Sequence, residues 1–436
     1  MGKRRLIDYS HMRRRPEGPM KTQVSILGIC LLAAALTACS LDSPSGASAT
    51  ASARSSPVSV VAQAPVIPPS ESPERLSTLP TEPVVRRATL LAVGDIMSHM
   101  PQLPGYYNAK SQNYDFTPWF AQVKPILEKG DWVIGNLETP IAGKDLKFTG
   151  FPRFNAPDEL AFAIKQSGIQ LVSTANNHSL DRGVPGVRRT LGTVRKAGLI
   201  PVGTSVSLTD RSRKVIEERN GIRLGFLAYT YGTNGIPLPA DSAYAVNLID
   251  PDTIKRDIAS LRQAGAEAVV VSLHFGVEYQ RMPNAEQKQL VRELVKAGAD
   301  IVLGSHPHVV QPYEEIDVPA SESEDGTAKK GIAIYSLGNF ISNQTGNWKD
   351  VGLIFGVQLT KTVHPDGTSD IRWEKITTTP TWVHIVWNNK VRYYTIIPMQ
   401  AAIQNRNIPG LTANDYTKMK TMLNGINKHL LQLRAG

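Results

Sequence analysis

Asp95, Glu138, Asn177, His178, His274, His306, His308 and Asn339 are far apart in the chain but occupy one kind of position. Each follows a short apolar run: 88–93 leads to Asp95, 132–135 to Glu138, 169–172 to Asn177 and His178, 267–273 to His274, 300–303 to His306 and His308, and 332–335 to Asn339. Runs of this length and content predict buried strands. Loops that leave strands are where α/β proteins place their chemistry. Carboxylate, amide and imidazole groups together suit borderline divalent metals such as Mn, Fe or Zn. Two such ions about 3.5–4 Å apart, bridged by a carboxylate, form the clamp used in phosphate ester hydrolysis. A single histidine at such a point is ordinarily a packed core group. Here five of the nine histidines, His99, His178, His274, His306 and His308, fall at strand ends, which packing does not explain.

The densest stretch is Ala175-Asn176-Asn177-His178-Ser179-Leu180-Asp181-Arg182-Gly183. Taken alone it also fits a polar turn with a helix cap. An Asn-His pair after a strand can set a neutral oxygen ligand beside an imidazole that moves a proton. Asp181 is placed to hold the loop and Arg182 to face an anionic substrate. Glu278 is placed to orient His274 or touch substrate. A surface charge pair is the alternative for each of these charged residues.

The elements that must position these residues alternate. Helical periodicity is read over 118–128, 157–166, 184–197, 251–264 and 286–297. A hairpin is expected from 215–218 and 222–229 around Asn220-Gly221. Strands are expected at 351–359, 371–376, 382–387 and 391–397, completing one sheet, followed by a helix over 411–433 that packs on the domain.

The N-terminus carries a different kind of information. Half of the +10 net charge lies in residues 1–21, where seven cations face Asp8 and Glu17. An apolar run over 24–39 follows and closes in Leu36-Thr37-Ala38-Cys39. Basic start, apolar core and small residues before a cysteine predict a lipoprotein signal with Cys39 as the lipidated residue, whether translation starts at Met1, Met12 or Met20. The second cysteine, Cys30, would leave with the signal, so the mature chain has no disulfide. Residues 40–85 are rich in Ser, Ala and Pro and read as an extended tether. The expected location is the outer face of the cell membrane, held there by lipid. The remaining charge is mild, and no basic patch interleaved with aromatics marks a nucleic-acid partner.

Six segments together resemble the CapA family of capsule, or poly-gamma-glutamate, biosynthesis proteins, also called PgsA. They are Val93-Gly94-Asp95, Asn136-Leu137-Glu138-Thr139-Pro140, Asn176 through Gly183, His274-Phe275-Gly276-Val277-Glu278, Gly304-Ser305-His306-Pro307-His308 and Tyr335-Ser336-Leu337-Gly338-Asn339-Phe340. That family is similar to calcineurin-like metallophosphoesterases. The resemblance implies an α/β (α+β) fold, a four-layer sandwich of two mixed sheets flanked by helices. It implies a domain over 86–345, with 346–400 completing the sandwich and 401–436 a terminal helix. It implies Asp95, His274, His306 and His308 as metal ligands, Asn177 as the amide ligand and His178 as the proton donor to a leaving group, with Asp181 beside it. Asn136, Arg182, Glu278 and Asn339 are the candidates for substrate contact. The sequence departs from the phosphoesterase Asp-x-His motif, since three residues separate Asp95 from His99. The bridging aspartate has no direct counterpart, and Glu138 is the candidate, with Asn136 and Asp131 behind it.

The implied function is a surface lipoprotein of capsule or poly-gamma-glutamate synthesis, export or trimming, holding one or two divalent ions and handling an anionic polymer. Two alternatives stay open. One is a metal-dependent hydrolase of phosphate esters or cell-wall amides. The other is a non-catalytic accessory subunit of a membrane polymer synthase.

Overall fold

The computed structural model describes residues 82–323 and 326–433. The signal, Cys39 and nearly all of the tether lie outside the described residues.

The two sheets are mixed. The first runs, strand by strand, Val391–Pro398, Ser369–Asn388, Val351–Val363, Val84–Ile96, Trp132–Leu137, Leu171–Ser173 and Ile200–Val202, with Asn339–Ile341 paired beside the end of Val84–Ile96. The second runs Val310–Val318, Lys329–Leu337, Ile301–Ser305, Ala268–His274, Ile222–Thr230 and Ile216–Arg219. The central strands of both are parallel. Their carboxyl ends therefore share one edge in each sheet, which brings the strand-end residues together.

Side-chain alternation builds four layers. Leu90, Ala92, Trp132, Ile134, Phe226, Val270, Leu303 and Ile334 face inward and form the core between the sheets. Leu91, Val93, Val133 and Val172 face the other way, against Trp119, Leu127, Leu160 and Val194 of the outer helices. Val269, Val271, Val302 and Tyr335 do the same against Ile254, Ile258, Leu290 and Leu294. The order is helices, mixed sheet, mixed sheet, helices. The terminal helix Ala413–Leu430 adds Met419, Leu423 and Ile426 to the central core.

Four local expectations need correction. The first strand begins at Val84, inside the stretch that composition assigns to the tether, because residues 84–88 pair with 359–363. The helix expected over 118–128 is two short helices, Thr117–Phe120 and Lys124–Leu127, because Pro125 cannot continue a helix but is accepted at the start of one. Strand Val310–Val318 is an addition that the sequence pattern does not predict. The strands expected at 371–376 and 382–387 are one, Ser369–Asn388. Pro380 interrupts the apolar pattern but not the strand. Its neighbour Val391–Pro398 pairs only from Thr381 onward, so the proline sits where that side becomes an edge.

Candidate metal centre

Asp95 and Glu138 lie at and just beyond the ends of adjacent parallel strands, both with no exposed surface. Asp95 is held by its backbone, whose N–H donates to the Gly338 carbonyl at 2.9 Å. Gly94 makes that approach possible, since a Cβ there would stand 1.9 Å from the Gly338 oxygen.

Two groups of donors form around these carboxylates. Asp95, Glu138 and His274 make one, and Glu138, His306 and His308 the other; within each, the donor atoms lie within 4.8 Å of one another. Glu138 belongs to both. Its Oε1 is 3.4 Å from His274 Nε2 and 3.8 Å from His308 Nε2. His306 and His308 come from the turn after Ile301–Ser305, with φ of 98° and 57°. Non-glycine residues held in that region are uncommon and cluster at functional sites.

The neighbours fix the ring orientations. His308 Nδ1 is 3.0 Å from Asp95 Oδ2 and 3.1 Å from Asn339 Oδ1. Both are acceptors, so Nδ1 carries the proton and Nε2 keeps a lone pair for the cluster. Asn136 Nδ2 donates to Asp95 Oδ1 at 2.9 Å and lies 3.3 Å from His274 Nδ1. Asn177 Oδ1 is 3.0 Å from His274 Nε2, which puts the amide oxygen on the cluster.

The electrostatics fit a cation. Burial, then the charge of Asp95, pushes the Glu138 carboxyl well above its ordinary range. Burial, then neighbouring imidazoles, pushes His274 and His306 well down, so both are neutral and able to ligate. Glu138 Oε1, His306 Nδ1 and Asn136 Oδ1 are buried with no hydrogen-bond partner. Each unsatisfied group costs about 1–3 kcal/mol. A divalent ion held by Glu138 and His306 would remove the penalty at both. The residues fit one.

His178 lies beside the cluster. Its Nδ1 is 2.7 Å from Asp181 Oδ2, which also accepts from the Phe154 N–H at 2.7 Å. The carboxylate fixes the proton on Nδ1 and leaves Nε2 as the working end. Asn176 and Ser179 tie down the loop. Asn176 Nδ2 donates to the Leu137 carbonyl at 2.8 Å, one residue before Glu138, and Ser179 Oγ donates to the Thr174 carbonyl at 2.7 Å.

Three residues expected at the substrate are placed behind the site instead. Asn136 and Asn339 are buried and bonded to the donor residues, and Asn339 Nδ2 also donates to the Lys349 carbonyl at 2.8 Å. Arg182 donates to Thr149 Oγ1 and to the Arg153 carbonyl, so it braces loop 149–153. Glu278 is half-buried, and its charge adds to the rise at Glu138. His99 belongs to neither donor group. Its ring meets Phe154 edge-on at 5.0 Å, and Phe154 meets His178 at 4.6 Å. Phe154 and Tyr231 are site residues that the strand-end reading omits. Tyr231 lies 4.7 Å from the His306 ring and parallel to that of His274 at 6.3 Å. It directly follows strand Ile222–Thr230, so the same rule applied to that strand points to it.

With this geometry in place, the comparisons with known proteins are specific. The family described as bacterial capsule synthesis protein PGA_cap matches residues 89–344. The chain is 31% identical over 267 residues to the capsule biosynthesis protein CapA of Bacillus anthracis, covering 59% of this chain and 60% of that protein. It is 32% identical over 271 residues to the PGA biosynthesis protein CapA of Bacillus subtilis, covering 58% and 62%. The chain thus matches about three fifths of the length of these curated relatives. Among solved structures, the calcineurin-like phosphoesterase YfkN of Bacillus subtilis aligns with 80% of this chain and 100% of its own at 14% identity and a TM-score of 0.41. The NAD nucleotidase NadN of Haemophilus influenzae aligns with 80% and 61% at 12% identity and a TM-score of 0.40. The match over residues 89–344 spans more than half of the chain and every cluster residue from Asp95 to Asn339, and the chain belongs to the bacterial capsule synthesis protein family PGA_cap.

Proposed function

We propose that this chain is a lipid-anchored protein on the outer face of the cell membrane that acts in the synthesis, export or trimming of an anionic capsule polymer of the poly-gamma-glutamate type, through a metal-dependent site. The observation that carries the reading is Glu138, one buried carboxylate shared by two donor groups beside an oriented His178. Asp95, Asn177 and His274 would hold one ion and His306 and His308 a second, with Glu138 between them. A divalent ion there supplies Lewis acidity toward a carbonyl or phosphoryl oxygen.

The chain's own residues do the rest. Asp181 keeps the Nδ1 proton of His178 in place and its charge favours the imidazolium; Nε2 would first take a proton from the attacking water and then pass it to the departing atom. Tyr231 packs beside His274 and His306, and Phe154 against His178, so aromatic rings line the site. The bordering loops carry Arg153, Arg281 and Lys349, and among the described residues none of the three has a carboxylate at ion-pair distance. Such unpaired cations draw a polyanion toward the cluster.

One observation supports the accessory-subunit alternative. The position that would carry the histidine of an Asp-x-His pair is Met97, buried and unable to ligate, and His99 is turned to Gln102. Metal analysis separates the two. The full chain purified in detergent, measured by plasma mass spectrometry, should carry stoichiometric Mn, Fe or Zn. Asp95→Ala, Glu138→Gln and His306→Ala should each lose most of it, together with any hydrolysis of phosphoesters or γ-glutamyl bonds. A wild-type chain that stays metal-free after incubation with each ion would overturn the metalloenzyme reading and leave a lipid-anchored accessory subunit.

A further inference from the structure

We infer that Lys349, seated on the face of Tyr279, is an anion subsite that receives a carboxylate of the polymer next to the bond held at the cluster. The inference rests on the proposed function and assigns it a recognition residue. The Lys349 ammonium lies 5.2 Å from the Tyr279 ring centroid, and that ring lies 6.1 Å from the ring of His308. The same aromatic ring therefore neighbours both a cation and a cluster imidazole. The ring face takes one side of the ammonium. The group has three donors, and among the described residues no carboxylate is within ion-pair distance of it.

The loop that carries Lys349 is fixed in place, as a recognition site requires. The Lys349 carbonyl accepts from Asn339 Nδ2 at 2.8 Å, and Asn339 Oδ1 is 3.1 Å from His308 Nδ1. Lys349 is thus two hydrogen bonds from the cluster through its backbone. Next to it, buried Asp350 accepts from the Trp382 indole and from Lys418, both at 3.1 Å. On the other side Arg281 covers the Trp348 ring at 4.0 Å, and Arg281 also donates to Asn347 Oδ1 at 3.1 Å. Tyr279, Asn347 and Trp348 hold φ of 67°, 54° and 68°. Of the twelve non-glycine residues with positive φ among the described residues, these three and His306, His308 and Asn234 all stand on loops around the cluster. Strain gathered at one place is characteristic of a site. Arg281 has its guanidinium committed to Trp348 and Asn347, whereas the Lys349 ammonium touches only an aromatic face among the described residues.

The chemistry selects the ligand. A γ-linked glutamyl chain keeps one free α-carboxylate on every residue, so when one amide lies at the cluster a neighbouring carboxylate is within reach of Lys349. The test compares binding of a γ-linked glutamate oligomer and of its α-carboxamide counterpart by calorimetry, using the full chain in detergent. Wild type should prefer the charged oligomer. Lys349→Ala should weaken that binding by about tenfold, the size of one charge-assisted hydrogen bond. It should leave the carboxamide oligomer and the metal content unchanged, and Lys349→Arg should restore most of the affinity. Unchanged affinity in Lys349→Ala, or equal loss on both oligomers, overturns the subsite while the proposed function stands. Wild type that binds neither oligomer overturns both.

Discussion

Asp181 stands behind His178 with one oxygen accepting from two donors, the imidazole Nδ1–H and the Phe154 N–H. Replacing it by asparagine keeps an oxygen for both donors and removes only the charge that favours a protonated ring. If His178 passes a proton to the leaving group, Asp181→Asn should lower turnover by about 10²-fold or more, the usual worth of a positioned acid. Metal content should stay at the wild-type level, because Asp181 belongs to neither donor group. Full activity in Asp181→Asn, measured on whichever γ-glutamyl or phosphoester substrate the wild type turns over, would remove His178 from the proton path. At this scale the sequence is legible where residue type alone carries the chemistry. Asp95, Glu138 and the four cluster-side histidines stand out because carboxylates and imidazoles are rare at the ends of apolar runs. Phe154 and Asn339 are not legible in the same way. Phe154 matters only because the fold wedges it between His99 and His178, and Asn339 becomes a brace for His308 instead of a substrate contact once Lys349 and Gln344 take its amide. Neither residue's role can be read from its neighbours in sequence.

Strands place the donors, and glycines let the strands come close enough. A Cβ on Gly94 would meet the Gly338 carbonyl oxygen at 1.9 Å, and one on Gly304 would meet the Tyr335 carbonyl oxygen at the same distance. Both obstacles are backbone, which cannot swing aside. Gly94→Ala is therefore expected to cost about 4 kcal/mol or more, in the range reserved for severe packing damage. It should also shift Asp95 and lower metal occupancy. Gly192, inside helix Gly183–Lys196, is the opposite case: a Cβ added there would point into open space, with nothing within 4 Å. Gly192→Ala should stabilise by about 0.5–1 kcal/mol through helix propensity. Denaturant titration of the two variants checks both signs, and a Gly94→Ala protein as stable as wild type would contradict the close approach. Helices and central strands are readable from periodicity because each has one apolar face or two. Edges are not. Strand Val310–Val318 mixes exposed Glu and Asp with apolar residues, and Ser369–Asn388 contains a proline that only edge position permits. Whether a strand lies at an edge depends on its partners, which the local pattern does not contain.

The four layers enclose a polar centre at the carboxyl ends of the strands, and that arrangement sets how the whole molecule responds to acid. Burial lowers the pKa of His99 to about 4 and lowers those of His384 and His429, besides His274 and His306. His384 faces Asp415 and Lys418, and His429 lies 2.9 Å from the Arg281 carbonyl, but burial outweighs these partners. A histidine whose folded pKa is depressed takes up its proton more readily when unfolded. Stability is then complete above the unfolded value of about 6.5 and falls as pH drops toward the folded value. One pKa unit is worth about 1.4 kcal/mol, so His99 alone carries on the order of 3 kcal/mol between pH 6.5 and 4. Glu138 opposes this, since a carboxyl with a raised pKa relieves its burial penalty as it protonates. The clean measurement uses Glu138→Gln with chelator present, unfolded by denaturant at steps from pH 7.5 to 4.5. The midpoint should hold above pH 6.5 and fall steadily below it, and adding His99→Gln should flatten the fall. A midpoint that stays level to pH 4.5 would mean that the buried histidines are not held neutral by the fold. The polar centre would then be open to solvent protons.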